Sequence, residues 1–252
     1  MIDFVGAGPG AVDLITVRGM ELIRNADVII YAGSLVNPAL LEYAQEGTEI
    51  HDSSRMTLEE VLDVMTRAES EGRRTVRLHT GDASVYGAIR EQMDELDKRG
   101  IPYRTCPGVS AAFGAAASLN LEYTLPGVSQ TLIITRMEGR TAVPENERIE
   151  LLASHGSSMA IYLSAGMLKE LARRLVAGGY AEDTPVAVVY KATWPDEKRI
   201  ICTLKTMADE AEKAGVRKTA VVLVGNVIVN SGYERSKLYD PSFTTEFRQA
   251  KE

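Results

Sequence analysis

The chain has 252 residues, of which 45% are hydrophobic and 25% are charged, and its formal net charge is −7. This length can bury a substantial core in one large domain or in two ordinary ones. The acidic balance argues against a nucleic-acid partner, because phosphate binding usually shows as a basic face. No run approaches the roughly 20 apolar residues that span a bilayer. We therefore expect no membrane partner.

The cysteines and the amino terminus both indicate a cytoplasmic protein. Cys106 and Cys202 are too few and too far apart for a disulfide framework or a metal site. Reduced thiols are typical of the cytoplasm. The chain enters a strand pattern at once, with no basic segment followed by an apolar one, so we expect no secretory leader.

The first half alternates short apolar runs with helical patterns. In chain order, the predicted strands are IDFVGAG, DVIIYAG, TVRLHTGD and PYRTCPG, and the predicted helices are VRGMELIRNA, TLEEVLDVMTRAESEG, AIREQMDELDKRG and SAAFGAAASL. Thr57 and Glu60 fit a capping box at the start of the second helix. This alternation predicts βαβ units and a largely parallel sheet.

The second half has a different character. Its predicted strands are QTLIITR, SSMAIYLSA, TPVAVVYKAT, KRIICTL and TAVVLVGNVI, and its predicted helices are MLKELARRLVAGG and TMADEAEKAG. A short turn joins the third and fourth of these strands, so a hairpin and a mixed sheet follow. Pro126 and Gly127 mark a break. We predict an α/β protein with domains at 1–119 and 120–229 and a polar tail at 230–252.

The first strand runs into a glycine loop, GAGPG, at Gly6 to Gly10. Formally the loop satisfies the fingerprint of dinucleotide-binding proteins, which suggests NAD. Pro9, however, bars Gly8 from helical geometry, and the helical pattern resumes only near Thr16. The second strand also lacks the expected acidic residue at its end. These departures argue against NAD and leave a structural turn or a loop for another small molecule.

Two further loops follow later strands of the parallel sheet. Gly81-Asp82 presents a lone carboxylate, which suits either a ligand or the N-cap of AIREQMDELD. Pro107-Gly108 forms a turn before Ser110 and a helix of small residues, which permits a flat ligand or close helix packing. Carboxyl ends of parallel strands share one edge, where open α/β sheets bind ligands.

This set of loops resembles the tetrapyrrole methyltransferases, which use S-adenosylmethionine to methylate precorrins. GAGPGAVDLIT, HTGDASVYG and CPGVSAAFGAAA are similar to three motifs of that family, with Ala83 where proline is usual. The likeness runs from Ile2 to about Val229. YAGSLV and TRMEGRT resemble the precorrin-4 and cobalt-precorrin-4 carbon-11 methyltransferases, whereas the uroporphyrinogen-III enzymes read Tyr-Asp-Arg-Leu-Val at the first of these stretches.

The resemblance implies a two-domain homodimer that holds S-adenosylmethionine, with S-adenosylhomocysteine as product, in the cleft between its domains. Carried over position by position, the implied cofactor residues are Pro9, Asp82, Val85, Ser110, Ala111, Tyr162, Leu163, Ala192 and Ala220. Tyr162 and Leu163 are expected to flank the adenine. Strand aromatics often belong to the core, however, and this alternative stays open for Tyr162.

A tetrapyrrole carries many carboxylates, so its binding surface should offer cationic or hydroxyl donors. The candidates are Ser34, Ser53, Ser54, Arg55, Arg136 and Arg140, and each arginine could equally be a solvated surface charge. Methyl transfer from a sulfonium depends mainly on alignment, and no catalytic base can be assigned. His51, His79 and His155 show no metal-ligand spacing, and we expect packing or solvent exposure for each, although His79 lies where it could touch substrate.

Three alternatives compete with the carbon-11 assignment. The first is another tetrapyrrole methylase, acting on uroporphyrinogen III or on a different precorrin. The second is a methyltransferase similar to diphthine synthase, against which YAGSLV and TRMEGRT argue. The third is an NAD-binding oxidoreductase, which NAD(H) would stabilise against heat and S-adenosylhomocysteine would not.

Overall fold

The computed structural model describes residues 1–139, 141–229 and 232–250, with only the backbone described at Ser34. The chain divides into two compact units. The first unit contains Met1–Ala115 and Lys191–Glu197, and the second contains Ala116–Tyr190 and Lys198–Glu252. Across the described residues, none of the helices combines the length and the apolar character that crossing a bilayer requires.

An all-parallel sheet of five strands, in the order β3-β2-β4-β1-β5, forms the centre of the first unit. Its strands are β1 (Ile2–Gly6), β2 (Val28–Tyr31), β3 (Glu49–Asp52), β4 (Thr75–His79) and β5 (Tyr103–Cys106). The helices of this half of the chain are α1 (Val17–Arg24), α2 (Leu58–Ser70), α3 (Arg90–Lys98) and α4 (Ala111–Leu119). The predicted capping box of Thr57 and Glu60 is confirmed at the start of α2.

Both faces of this sheet are buried, which explains the continuous apolar runs that revealed its central strands. Phe4 and Ile30 pack with residues of α2 and α3 on one face. Val5, Ile29 and Leu78 belong to a second cluster. One strand, β3, was not predicted from the sequence. It is a partly exposed edge strand, EIHD, whose only apolar side chain, Ile50, is exposed.

The second unit contains a mixed sheet in the order β6-β7-β10-β8-β9. Its strands are β6 (Leu132–Arg136), β7 (Ser158–Tyr162), β8 (Pro185–Tyr190), β9 (Lys198–Thr203) and β10 (Ala220–Val224), and its helices are α5 (Ile149–Ala153), α6 (Leu168–Ala177) and α7 (Met207–Lys213). Only the β6–β7 pair is parallel among these, and β8 and β9 form the predicted antiparallel hairpin. The short helix α5 was not predicted. The mixed sheet is confirmed.

Candidate functional site

Four glycines bring the loops after β1, β4 and β5 into backbone contact at the carboxyl edge of the parallel sheet. A Cβ atom on Gly6 would lie 2.6 Å from both the Gly81 carbonyl oxygen and the Gly108 nitrogen. Gly8 and Gly81 exchange two backbone hydrogen bonds, of 3.2 and 2.9 Å. Only residues without side chains permit this approach, so the glycines join the backbone of the three loops into one continuous surface, in which Gly6, Gly8 and Gly81 are buried and Gly108 is half-buried.

The glycine loop does not lead into a helix as a dinucleotide fold requires. A short 3-10 turn, Val12–Leu14, follows the loop, and α1 begins only at Val17. Thr16 caps α1 by accepting a hydrogen bond of 3.0 Å from the Gly19 amide. The late start of the helix that the sequence predicts is therefore confirmed.

Asp82 joins the loop after β4 to the loop after β5. Its Oδ2 accepts a hydrogen bond of 2.8 Å from the Gly108 amide, and its Oδ1 accepts one of 2.9 Å from the Ser84 amide. Burial alone would raise the pKa of the carboxyl group, but the hydrogen bonds from Ser84 and Gly108 outweigh it and lower the pKa. The alternative role of Asp82 as a helix cap is wrong, because α3 begins at Arg90 after Ile89.

Pro9 is buried within the first unit, where a helix and a tryptophan cover it. A Cβ atom on Gly114 would lie 2.5 Å from the Pro9 Cβ, so the proline ring rests directly on α4. The Trp194 indole N–H donates a hydrogen bond of 3.2 Å to the Pro9 carbonyl oxygen. The Ala11 amide donates one of 2.9 Å to the Thr193 hydroxyl. Segment 191–197 therefore holds the glycine loop in place.

Trp194 is the main feature of this site that the sequence analysis missed. The indole lies over Gly10 so closely that no side chain could be accommodated there. Lys191 Nζ lies 4.9 Å from the centroid of the Trp194 ring, a cation–π distance. Lys191 and Thr193 both have positive φ, of 46° and 67°. The available signal was the chain's single tryptophan in a turn-forming stretch, TWPDE, between two strands.

The other predicted cofactor residues of the first unit lie near these loops. Ser110 is buried directly before α4, and its carbonyl oxygen accepts the amide hydrogens of Phe113 and Gly114. Ala111 opens the helix, and its nitrogen would lie 3.5 Å from a Cβ atom on Gly81. Val85 donates its amide hydrogen to the Asp82 carbonyl oxygen at 3.2 Å, and Ala192 is buried beside Thr193.

In the second unit, the predicted residues collect at one edge of the mixed sheet. Arg136 ends β6 directly opposite Tyr162, the last residue of β7. Ala220 opens β10, which runs antiparallel to β7, so its start lies at the same edge as the end of β7. Leu163 follows with 66% of its surface exposed and a φ of 55°. An exposed leucine in the left-handed region is unusual and suits a contact residue.

Some of the predicted substrate residues hydrogen-bond to nearby backbone, and others are exposed. The Ser53 hydroxyl donates a hydrogen bond of 2.9 Å to the Tyr31 carbonyl oxygen. Ser54 and Arg55 are exposed at the loop after β3. The Arg136 guanidinium donates to the carbonyl oxygens of Thr141 and Ala142, at 3.1 and 2.7 Å, and so organises its own loop. Arg140 and the side chain of Ser34 lie outside the described residues.

His79 ends β4 as a buried residue, in agreement with the packing role expected for it. It is 4% exposed and stacks on Phe4 at a ring distance of 6.1 Å. Its Nε2 has no hydrogen-bond partner among the described residues. Burial, and secondarily the charge of Arg77, lower its pKa to about 3. The folded protein therefore keeps this imidazole neutral at physiological pH.

Acid should destabilise the protein through His79. The folded pKa lies below the unfolded value near 6.5, so the unfolded state binds the extra proton and stability is lost as the pH falls below 6.5. Between pH 7 and pH 5 we expect a loss of about 2 kcal/mol. Urea unfolding at both pH values measures it. His79→Gln should remove most of this loss and His155→Gln, at an exposed position, should not; equal losses in all three proteins would contradict the assignment.

The sequence of the chain is similar to those of known tetrapyrrole methylases. The family model described as Tetrapyrrole (Corrin/Porphyrin) Methylases matches residues 1–208. A cobalt-precorrin-4 C(11)-methyltransferase from Methanocaldococcus jannaschii is 54% identical over 246 residues, which are 98% of this chain and 95% of that protein. A precorrin-4 C(11)-methyltransferase from a Sinorhizobium species is 42% identical over 248 residues, 98% of each chain.

A solved structure gives the same answer for the fold. The X-ray structure of a cobalt precorrin-4 methyltransferase from cobalamin biosynthesis matches with a TM-score of 0.88 and 44% sequence identity. The match covers 90% of this chain and 95% of that one. With the glycine loop, the Asp82 loop and the small-residue helix in the arrangement described above, this chain belongs to the tetrapyrrole (corrin/porphyrin) methylases.

Proposed function

We propose that the protein is an S-adenosylmethionine-dependent C-methyltransferase that methylates carbon 11 of precorrin-4 or of cobalt-precorrin-4 in cobalamin biosynthesis. The observation that carries this proposal is the glycine-lined backbone surface formed by the loops after β1, β4 and β5. It occurs in a chain whose relatives at 54% and 42% identity carry these two names over nearly their whole length.

The backbone surface suits S-adenosylmethionine because it offers close approach to backbone atoms rather than bulky side chains. We propose that Pro9, Asp82, Val85, Ser110 and Ala111 form or support this surface. Asp82 would act by holding the Gly108 amide in place, since its carboxylate oxygens already accept backbone hydrogens. Tyr162, Leu163, Ala192 and Ala220 stay predicted contacts of the adenosyl group, as the family resemblance implies.

Bound S-adenosylmethionine supplies an electrophilic methyl group on a sulfonium, with a neutral thioether as leaving group. The residues of the chain then have two tasks, to align the reacting carbon and to exclude water. The hydrogen bonds between Gly8 and Gly81 and the bond from Gly108 to Asp82 keep the loops rigid for the first task. We assign no catalytic base.

Asp82→Asn should weaken the binding of S-adenosylhomocysteine at least tenfold, or about 1.4 kcal/mol. The asparagine amide has only one acceptor oxygen, so it cannot serve both the Gly108 and the Ser84 amides. Isothermal titration calorimetry measures the affinity. Asp94→Asn, which removes an exposed ion pair with Arg90 on α3, is the matched control and should bind normally. Unchanged affinity in Asp82→Asn would show that this link does not support the cofactor.

A methyl-transfer assay tests the reaction itself. The protein is incubated without oxygen with ¹³C-methyl-labelled S-adenosylmethionine and either precorrin-4 or cobalt-precorrin-4, and product NMR locates the label. Label on carbon 11 is expected. The substrate that reacts faster shows whether the enzyme acts on the metal-free or on the cobalt-containing precorrin. Label on another carbon, or on uroporphyrinogen III only, would indicate a different tetrapyrrole methylase. Stabilisation by NAD(H) without binding of S-adenosylhomocysteine would contradict the methyltransferase assignment.

We also propose that the enzyme is a cytoplasmic homodimer with domains at 1–119 and 120–229 and a tail at 230–252. The family resemblance supports the dimer. The two cysteines, both free in the structure, suit a reducing compartment. Size-exclusion chromatography with light scattering should give a mass near twice the 27.4 kDa of one chain. A mass of one chain at micromolar concentration would contradict the dimer.

A further inference from the structure

A cavity of about 280 Å³ opens beside the end of β4 in the first unit, next to the loops described above. It lies on the side of the sheet that packs against α2 and α3. Its polar lining consists chiefly of Ser53, Thr57, Arg77, His79, Thr80 and Gln92. The volume accommodates a short side arm of a ligand rather than a whole cofactor.

Arg77 brings a buried positive charge to this cavity, whose lining also includes the exposed carboxylate of Glu91. The side chain is 7% exposed, yet no carboxylate of the described chain forms an ion pair with it. Its Nε donates to Gln92 Oε1 at 3.2 Å, and its Nη1 donates to the Ile30 carbonyl oxygen at 3.1 Å. Nη2 has no acceptor among the described residues. Burial lowers the pKa of Arg77 to about 10, which leaves it charged at neutral pH.

His79 adds a second unsatisfied group to the same wall. The residue is 4% exposed, and its Nε2 has no hydrogen-bond partner within the part of the chain described. A buried polar atom without a partner is costly and calls for a specific explanation. A ligand that brings an acceptor to Arg77 and a hydrogen-bonding oxygen to His79 would satisfy both groups at once.

One loop on the lining of this cavity is strained. Tyr86 and Ala88 both line it and both have positive φ, of 58° and 49°. Neither residue type favours the left-handed region, and such strain concentrates at ligand sites. Between them, Gly87 packs against the backbone of Ala83 too closely for any side chain. The chain therefore holds an unfavourable conformation in a loop that lines the same cavity as Arg77.

We propose that this cavity is a carboxylate subsite that takes one acetate or propionate arm of the tetrapyrrole substrate, with Arg77 as its ion partner and His79 as a hydrogen-bonding neighbour. The inference rests on the proposed function, since only a tetrapyrrole substrate brings such arms. One guanidinium matches one carboxylate. Glu91, an exposed carboxylate on the cavity lining, disfavours a more highly charged phosphate.

Binding of uroporphyrin III, a stable octacarboxylate, tests the subsite by fluorescence titration. Arg77→Met should weaken its binding at least tenfold and leave the affinity for S-adenosylhomocysteine within twofold of wild type. Arg77→Lys, which keeps the charge, should recover part of the loss. Arg104→Met is the matched control, because Arg104 lies on β5 of the same sheet, on the other side of β1 from β4, and is already paired with Asp3. It should bind uroporphyrin normally.

A second measurement needs no variant and so does not depend on whether Arg77→Met folds. In protein labelled with ¹⁵N in histidine, uroporphyrin III should shift the His79 imidazole signals, whereas its octamethyl ester and S-adenosylhomocysteine should not. A shift with S-adenosylhomocysteine alone would assign the carboxylate to the cofactor and overturn the proposal. No shift and no effect of Arg77→Met, in a protein that still binds uroporphyrin, would overturn the subsite and leave the proposed function standing. A protein that binds S-adenosylhomocysteine but binds no tetrapyrrole would overturn both the subsite and the proposed function.

Discussion

Gly108→Ala is expected to abolish binding of S-adenosylhomocysteine and to lower the free energy of unfolding by about 3 kcal/mol or more. The added Cβ would overlap the Gly81 carbonyl oxygen and lie 2.7 Å from the Gly6 Cα. Both neighbours are backbone atoms, so no side chain can rotate away to make room. The loops after β1, β4 and β5 would have to separate. Urea unfolding and calorimetric titration measure the two effects.

Gly166→Ala is the matched control for this substitution. A Cβ on Gly166 meets only the Arg217 carbonyl oxygen at 3.6 Å, an ordinary contact, and its φ does not require glycine. We expect its stability and its affinity for S-adenosylhomocysteine to stay close to those of wild type. If Gly108→Ala were as stable as this control and bound the ligand normally, the loops would not form the rigid backbone surface inferred above.

Much of the fold could be predicted from the sequence because its central strands are buried on both faces. Ile29 and Ile30 illustrate this, since they are consecutive, face opposite sides of the sheet and are both fully buried. Such strands read as short apolar runs, and the helices between them read as amphipathic. The edge strand β3 lacks that signal. Its backbone pairs with β2, but its one apolar residue is exposed and its polar residues are half-buried, so no local pattern distinguishes it from a loop.

The site could be predicted only to the level of which loops take part. The glycine and Asp82 motifs located the loops, but their contacts depend on strand order. Asp82 meets Gly108 because β4 and β5 flank β1 on either side. The sequence predicts a helix from Ala88, with Asp82 as one possible cap, whereas α3 begins at Arg90. Tyr86 and Ala88 in the loop before α3 have positive φ values, which tyrosine and alanine rarely adopt, so the sequence could not predict this conformation.

Long-range contacts are the part of the site that no local pattern could reveal. Trp194 and Pro9 are separated by 185 positions, yet the indole N–H donates to the Pro9 carbonyl oxygen. The neighbouring Thr193 hydroxyl accepts from the Ala11 amide. These two bonds fix both sides of Gly10 from outside the loop. Pro9, which spoils the dinucleotide fingerprint in the sequence, is thus held from α4 and from segment 191–197 in the structure.

Trp194→Ala is therefore expected to weaken the binding of S-adenosylhomocysteine about 100-fold, or about 2.7 kcal/mol. The substitution removes the cover over Gly10 and the donor to the Pro9 carbonyl oxygen, so the glycine loop must be ordered again on binding. Trp194→Phe keeps an aromatic cover but removes the indole donor, and we expect a loss of about tenfold, as suits one hydrogen bond. Isothermal titration calorimetry compares the three proteins.

The chain's single tryptophan also reports on the loop directly. If the glycine loop contacts the cofactor, titrating wild-type protein with S-adenosylhomocysteine should change the Trp194 emission with the affinity that calorimetry gives. Tyr239→Ala, at an exposed position of the second unit, is the control for general loss of an aromatic residue and should bind as wild type does. Normal affinity in Trp194→Ala, together with unchanged emission in the wild type, would show that the loop is fixed by its own backbone. In that case the hydrogen bonds between Gly8 and Gly81, and the one that the Gly108 amide donates to Asp82, would account for its rigidity.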